Sequence, residues 1–275
     1  MSEHSLDVSI DTAADRGSAT LSHPQKKVMA AADESPAAGR LSSYAWDAYV
    51  AEFVGTYFLV LTIGLNVVQE NSLAPLSIGA ILMVMIFAMG SVSGAHYNPA
   101  VTLAVYLSRR QKISLRDAGI YWGVQCLAGL IAGATFWGVL GDSFPLEPSA
   151  ALISADGKAA AIRSACLVEI LYTCALCFVI LNVATTKQDT PNHYFGLAIG
   201  STVGSAAIAI GGVSGCSLNP AVSIGVIITH AIASGSGAGL AYLGLYLLAP
   251  LVGSVFAAAV FYAVRPAEYG LPFGK

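Results

Sequence analysis

Charge is scarce in this 275-residue chain: Asp, Glu, Lys and Arg make up 11% of it, where soluble domains carry about 25%. With 56% hydrophobic residues and a mean hydropathy of +0.69, a soluble fold would have little to present to water. This argues against a cytosolic enzyme and a disordered chain. Positive charge is not in excess either: 13 Lys and Arg against 16 Asp and Glu give a net charge of -3. No phosphate backbone is matched by such a balance, so no nucleic-acid partner is expected. The five cysteines are odd in number and scattered through apolar sequence, so no disulfide framework is implied. There is no nucleophile–base pair, phosphate loop or spaced metal-ligand cluster outside the apolar stretches. No catalytic residue, metal or cofactor is therefore expected. What the chain does have is glycine: 28 residues in apolar surroundings, the composition of helices packed closely in a lipid bilayer.

Residues 1–45 stand apart. They hold six acids (Glu3, Asp7, Asp11, Asp15, Asp33, Glu34) and four bases (Arg16, Lys26, Lys27, Arg40) among Ser and Ala. Without an apolar period they read as a disordered tail. Six later stretches reach the roughly 20 apolar residues that a membrane span needs. They lie near 48–69, 73–95, 118–140, 164–185, 194–214 and 238–264, and only Glu52 and Glu169 interrupt them with charge. The first begins too late and runs too long for a cleaved signal peptide. Residues 266–275 form a short C-terminal tail.

Two shorter apolar pieces, near 98–107 and 219–231, open on the same tripeptide: Asn98-Pro99-Ala100 and Asn219-Pro220-Ala221. Each follows the second span of its half, in the order full, full, half, full. The flanks match too, Ser93 to Val101 paralleling Ser214 to Val222, and Glu52 and Glu169 each sit in the first span of a half. The chain is a repeat, about 46–140 and 163–265. Three spans per half turn the second copy upside down, which places a site near the bilayer midplane. Asn is a favoured N-cap and Pro suits the first helical turn, so each tripeptide starts a half-helix. Two such N-termini meeting at the midplane bring about half a positive charge each, a barrier to protons and cations. The two Asn amides offer donors to the oxygen of a passing water or alcohol. The residues before each motif need polar surroundings for their backbone and are expected to line a cavity. Basic residues favour a cytoplasmic N-terminus and C-terminus, with 11 of the 13 Lys and Arg then inside.

On these residues the chain resembles the aquaporin (major intrinsic protein) family across about 46–265. Ser93 through Thr102 is similar to the family's first loop motif, Ala51 through Thr56 to its first-helix signature, and Val168-Glu169-Ile170 to the fourth-helix counterpart. The resemblance implies an all-α membrane protein: six transmembrane helices plus two re-entrant half-helices. It implies one pore per subunit, usually in a homotetramer, for water and in some branches glycerol, urea, ammonia or peroxide. The backbone of Gly94, Ala95, His96, Gly215 and Ser217 would line that pore, and mercurials would block it at Cys216. Many members carry Arg directly after the second motif as part of a narrow filter; here that place is Val222. Gapless alignment puts the other filter positions at Ile78, Ala207 and Cys216. A filter of Ile, Ala, Cys and Val loses a fixed charge and five donors. It is expected to be wider and more apolar, to admit small uncharged solutes beyond water, and to exclude protons less strictly. If large neighbours fill the space, only water passes. Arg163 is the nearest substitute cation.

Two readings of Glu52 and Glu169 remain open at this point. Ionisable groups inside spans are costly and usually functional, so they could relay protons in a coupled transporter. They could equally be structural anchors that accept N–H bonds from the re-entrant loops, which their symmetric placement favours. The spacings Gly119/Gly123, Gly129/Gly133 and Gly196/Gly200/Gly204 are expected at helix–helix contacts.

Overall fold

The computed structural model describes residues 45–187 and 189–270. The N-terminal tail up to 44 and residues 271–275 lie outside the described residues. Among the described residues there is no strand, and six helices are long and apolar enough to cross a membrane. They are α1 (Trp46–Val68), α2 (Ala74–Ser93), α4 (Leu115–Leu140), α6 (Lys158–Thr185), α7 (Phe195–Ser214) and α9 (Leu243–Val264). The last is led in by a 3-10 turn, Ala238–Tyr242. Two helices begin at the repeated motifs: α3 (Pro99–Leu107) and α8 (Pro220–Ser234).

Local sequence sets the ends. Gly94, Gly141 and Gly215 close α2, α4 and α7 in the left-handed conformation (φ +85°, +71° and +81°) that glycine adopts without strain. Ser114 caps α4 by accepting the Asp117 N–H at 3.0 Å, and Asp117 adds negative charge to that first turn.

Several bounds depart from expectation. The fourth span starts at Lys158 rather than 164, because Lys-Ala-Ala-Ala-Ile-Arg is a strong helix former that a hydropathy reading passes over. The second half-helix continues to Ser234 and stops only at Gly235, again left-handed. A short helix, α5 (Ala150–Asp156), occupies the connection between the halves, where none was expected. The expected C-terminal tail begins as a docked 3-10 turn, Pro266–Tyr269. Its Glu268 pairs with the buried Arg110 guanidinium at 3.0 Å and accepts the Lys187 N–H at 2.9 Å. Arg110 also lies over the Phe261 ring, 4.3 Å from its centre.

The two halves interlock. Within each half the first and third spans pack together, α1 on α4 and α6 on α9, while α2 and α7 pack across the halves. Each half-helix leans on the other half's last span, α3 on α9 and α8 on α4. Glycine permits the closest of these approaches. A Cβ on Gly129 would strike the Ala221 carbonyl, and one on Gly225 the Gly129 carbonyl. Between α2 and α7, a Cβ on Gly79 would stand 2.6 Å from the Gly200 carbonyl. The Gly196, Gly200 and Gly204 stripe is thus a packing surface, as is Gly129 with Gly133. Gly119 and Gly123 are not: a Cβ there meets nothing within 4 Å, because that turn of α4 faces away from the bundle.

Candidate functional site

Both motif loops fold the same way. Gly94, Ala95 and Tyr97 have φ of +85°, +51° and +50°; Gly215, Cys216 and Leu218 have +81°, +53° and +51°. For a residue with a side chain this conformation costs roughly 1–2 kcal/mol. Four such residues persist only because their surroundings fix them.

Two buried carboxylates do much of that fixing. Glu52 on α1 is wholly inaccessible and accepts four hydrogen bonds. Oε1 takes Ser93 Oγ (2.7 Å) and the His96 N–H (2.9 Å), while Oε2 takes the Tyr97 N–H (2.7 Å) and Gln125 Nε2 (2.9 Å). Glu169 on α6 is equally buried and accepts three: Ser214 Oγ (2.7 Å) and the N–H groups of Ser217 (2.9 Å) and Leu218 (2.7 Å). Tyr121 and Tyr246 hold the loop entrances, donating to the Ser93 and Ser214 carbonyls at 2.7 and 2.6 Å. His96 Nδ1 lies 3.0 Å from Thr102 Oγ1, and Ser217 Oγ lies 2.7 Å from Ser223 Oγ.

Asn98 and Asn219 cap their half-helices, each side-chain oxygen accepting from the N–H two residues on (2.8 and 2.9 Å). Each amide also reaches across the molecule. Asn98 Nδ2 donates to the Leu218 carbonyl at 2.8 Å, and Asn219 Nδ2 donates to the Tyr97 carbonyl at 2.9 Å. An amide has two N–H groups, so one on each Asn remains for something else. These reciprocal bonds join the two half-helix N-termini. They are invisible to spacing alone, since the partners are 120 and 122 residues apart.

The carbonyls of Gly94, Ala95, His96, Gly215, Cys216 and Ser217 accept no hydrogen bond from any described residue. A cavity of about 270 Å³ runs past this pair of loops. Ile78, Ala207, Cys216 and Val222 all line it, as do Ala95, His96, Gly215, Ser217, Asn98 and Asn219. Gly94, Pro99, Ala100, Pro220 and Ala221 are not in the lining; the Pro and Ala residues are buried behind it. Among the described residues, no Asp, Glu, Lys or Arg side chain reaches the cavity. Arg163 is exposed on α6 and takes no part in the lining. Phe144, Pro145 and Leu146 do take part, from the connection after α4. Sequence reasoning missed them, although an apolar Phe-Pro-Leu set between Asp142 and Glu147 was a visible signal. It also passed over Gln125, an uncharged polar residue inside a span.

The site thus joins two helix N-termini beside unpaired carbonyls, with no charged side chain in the lining among the described residues. Comparison with known proteins places this arrangement in a family. The sequence pattern of the family described as Major intrinsic protein matches residues 40–262. The chain belongs to the major intrinsic protein family. It is an integral multi-pass membrane channel for water and small solutes, and not an enzyme. "Glycerol uptake facilitator protein-like 6" of Lactiplantibacillus plantarum is 39% identical over 217 residues, covering 76% of this chain and 94% of that protein. Nodulin-26 of Glycine max is 33% identical over 228 residues, covering 78% and 77%. The solved structure of the aquaglyceroporin from Plasmodium falciparum shares the fold. Its TM-score is 0.66 at 22% identity, over 82% of this chain and 99% of that one.

Proposed function

We propose that this major intrinsic protein conducts water and small uncharged solutes, with glycerol and urea as the first to test, through the cavity between Asn98 and Asn219. The carrying observation is the cavity's lining: five residues with unpaired carbonyls, two Asn amides and, among the described residues, no charged side chain. A water or alcohol exchanges hydrogen bonds with such a path, and two opposed half-helix dipoles oppose a cation. Ile78, Ala207, Cys216 and Val222 act as the filter. Short apolar side chains there favour the carbon face of a polyol and remove the donors an Arg would supply. The name of the Lactiplantibacillus relative, a glycerol uptake facilitator, supports the wider substrate range. Glu52 and Glu169 act as anchors for the re-entrant loops rather than as proton relays, because every carboxylate oxygen already accepts at least one hydrogen bond. In this reading both termini are cytoplasmic, and the working unit is a homotetramer in which each subunit has its own pore.

Stopped-flow light scattering on proteoliposomes tests the reading. Water shrinkage and glycerol and urea re-entry are all expected to exceed those of empty vesicles. A Val222→Arg variant is expected to slow glycerol more than water. An unchanged glycerol-to-water ratio in that variant would remove the filter assignment, and a gradient-coupled, saturable flux would restore the transporter reading.

A further inference from the structure

The four filter side chains are short, and one wall of the cavity comes from outside both repeats. Phe144 and Leu146 enter it from the segment that follows α4. That segment lies in the connection between the two repeats, between α4 and α5. Leu146 is 5% exposed and belongs to the same packed cluster as Val222 and Val226. It also covers the second motif loop: a Cβ on Gly215 would stand 2.7 Å from Leu146 Cδ1. The Phe144 ring packs against the fully buried Phe136, centroids 5.9 Å apart. Both ends of the segment are tied down. Ser143 Oγ lies 2.9 Å from His230 Nδ1 on α8, and the Ser149 N–H donates to the Val213 carbonyl at the end of α7 (3.0 Å). Between the ties Pro145 restricts the backbone.

We propose that residues 143–149 form a fixed strap whose Phe144 and Leu146 side chains set the upper size limit for neutral polyols at the Val222 end of the cavity. This rests on the channel reading above. The strap fills the room that an Ile, Ala, Cys and Val filter leaves open. Size selection then resides in a connection between the repeats rather than in the repeats themselves. A rigid apolar wall cannot donate hydrogen bonds, so it selects by bulk alone.

Proteoliposome flux of water, glycerol and the four-carbon polyol erythritol tests it in two variants. Leu146→Ala is expected to raise the erythritol-to-water ratio at least threefold. Phe144→Cys in a Cys216→Ser background is expected to lose at least half its glycerol flux on treatment with a methanethiosulfonate reagent. The second variant keeps the test open if the first is recovered poorly. An unchanged ratio in Leu146→Ala together with reagent-insensitive Phe144→Cys flux overturns the strap. If the wild type carries only water but Leu146→Ala gains glycerol flux, the strap stands and the wider substrate range falls. If the wild type carries glycerol and both variants behave as it does, the substrate range stands and the strap falls.

Discussion

The two motif loops share a skeleton and differ in what they show the cavity. Their left-handed residues fall at equivalent places, a carboxylate accepts N–H groups beneath each, and a tyrosine hydroxyl closes each entrance. Yet Ala95 answers to Cys216, His96 to Ser217, and the first loop's carboxylate has a fourth donor, Gln125, that the second lacks. The features that fold a re-entrant loop have been kept in duplicate. The side chains at the Ala95/Cys216 and His96/Ser217 places of the lining have not.

The comparison breaks most visibly at the carboxylates. A bond to a charged acceptor is worth about 1.5–3 kcal/mol, and an amide in place of an oxygen turns a donor toward donors. Glu52→Gln and Glu169→Gln are both expected to lower thermal stability in detergent severely, Glu52→Gln the more because it satisfies four donors against three. An equal loss, measured by thermal size-exclusion analysis, would mean that Gln125 contributes nothing. Next come the asparagines. Asn98→Ala and Asn219→Ala each remove a cap worth about 1 kcal/mol and one cross-bond. Water permeability is expected to fall by a similar factor in both, and a clear inequality would show that the half-helices are not equivalent. The smallest effect on the protein itself is a swap of one thiol. Cys216→Ser is expected to abolish mercurial block without disturbing the fold. Adding Ala95→Cys to it should restore block from the equivalent place in the other loop. Block that survives Cys216→Ser would move the sensitive thiol into the spans, where Cys174 and Cys177 sit.

Much of this was legible in the sequence. The six spans, the repeat and the half-helix starts follow from apolar length, the Asn-Pro-Ala caps and the glycine stops. The carboxylates were visible as the only charges in the apolar stretches that the sequence marks as spans. Four things were not. The cross-bonds from Asn98 and Asn219 join residues that no local pattern relates. Outward-facing Gly119 and Gly123 carry the same spacing as Gly129 and Gly133, because spacing reports a helix face but not what lies opposite. The part played by 143–149 depends on two tertiary ties, Ser143 to His230 and Ser149 to Val213. The docked C-terminal turn was missed for the same reason, since Glu268 meets Arg110 across 158 residues.

The acceptors along the cavity belong to the main chain, and that has a consequence for how such a pore can change over generations. A point mutation can replace a side chain but cannot delete a carbonyl. The series of Ala95 and His96 and from Gly215 to Ser217 is therefore insulated from drift as long as the loops keep their conformation. Ile78, Ala207, Val222, Phe144 and Leu146 have no such protection. Lineages can vary the list of admitted solutes one residue at a time while the path for water is inherited intact.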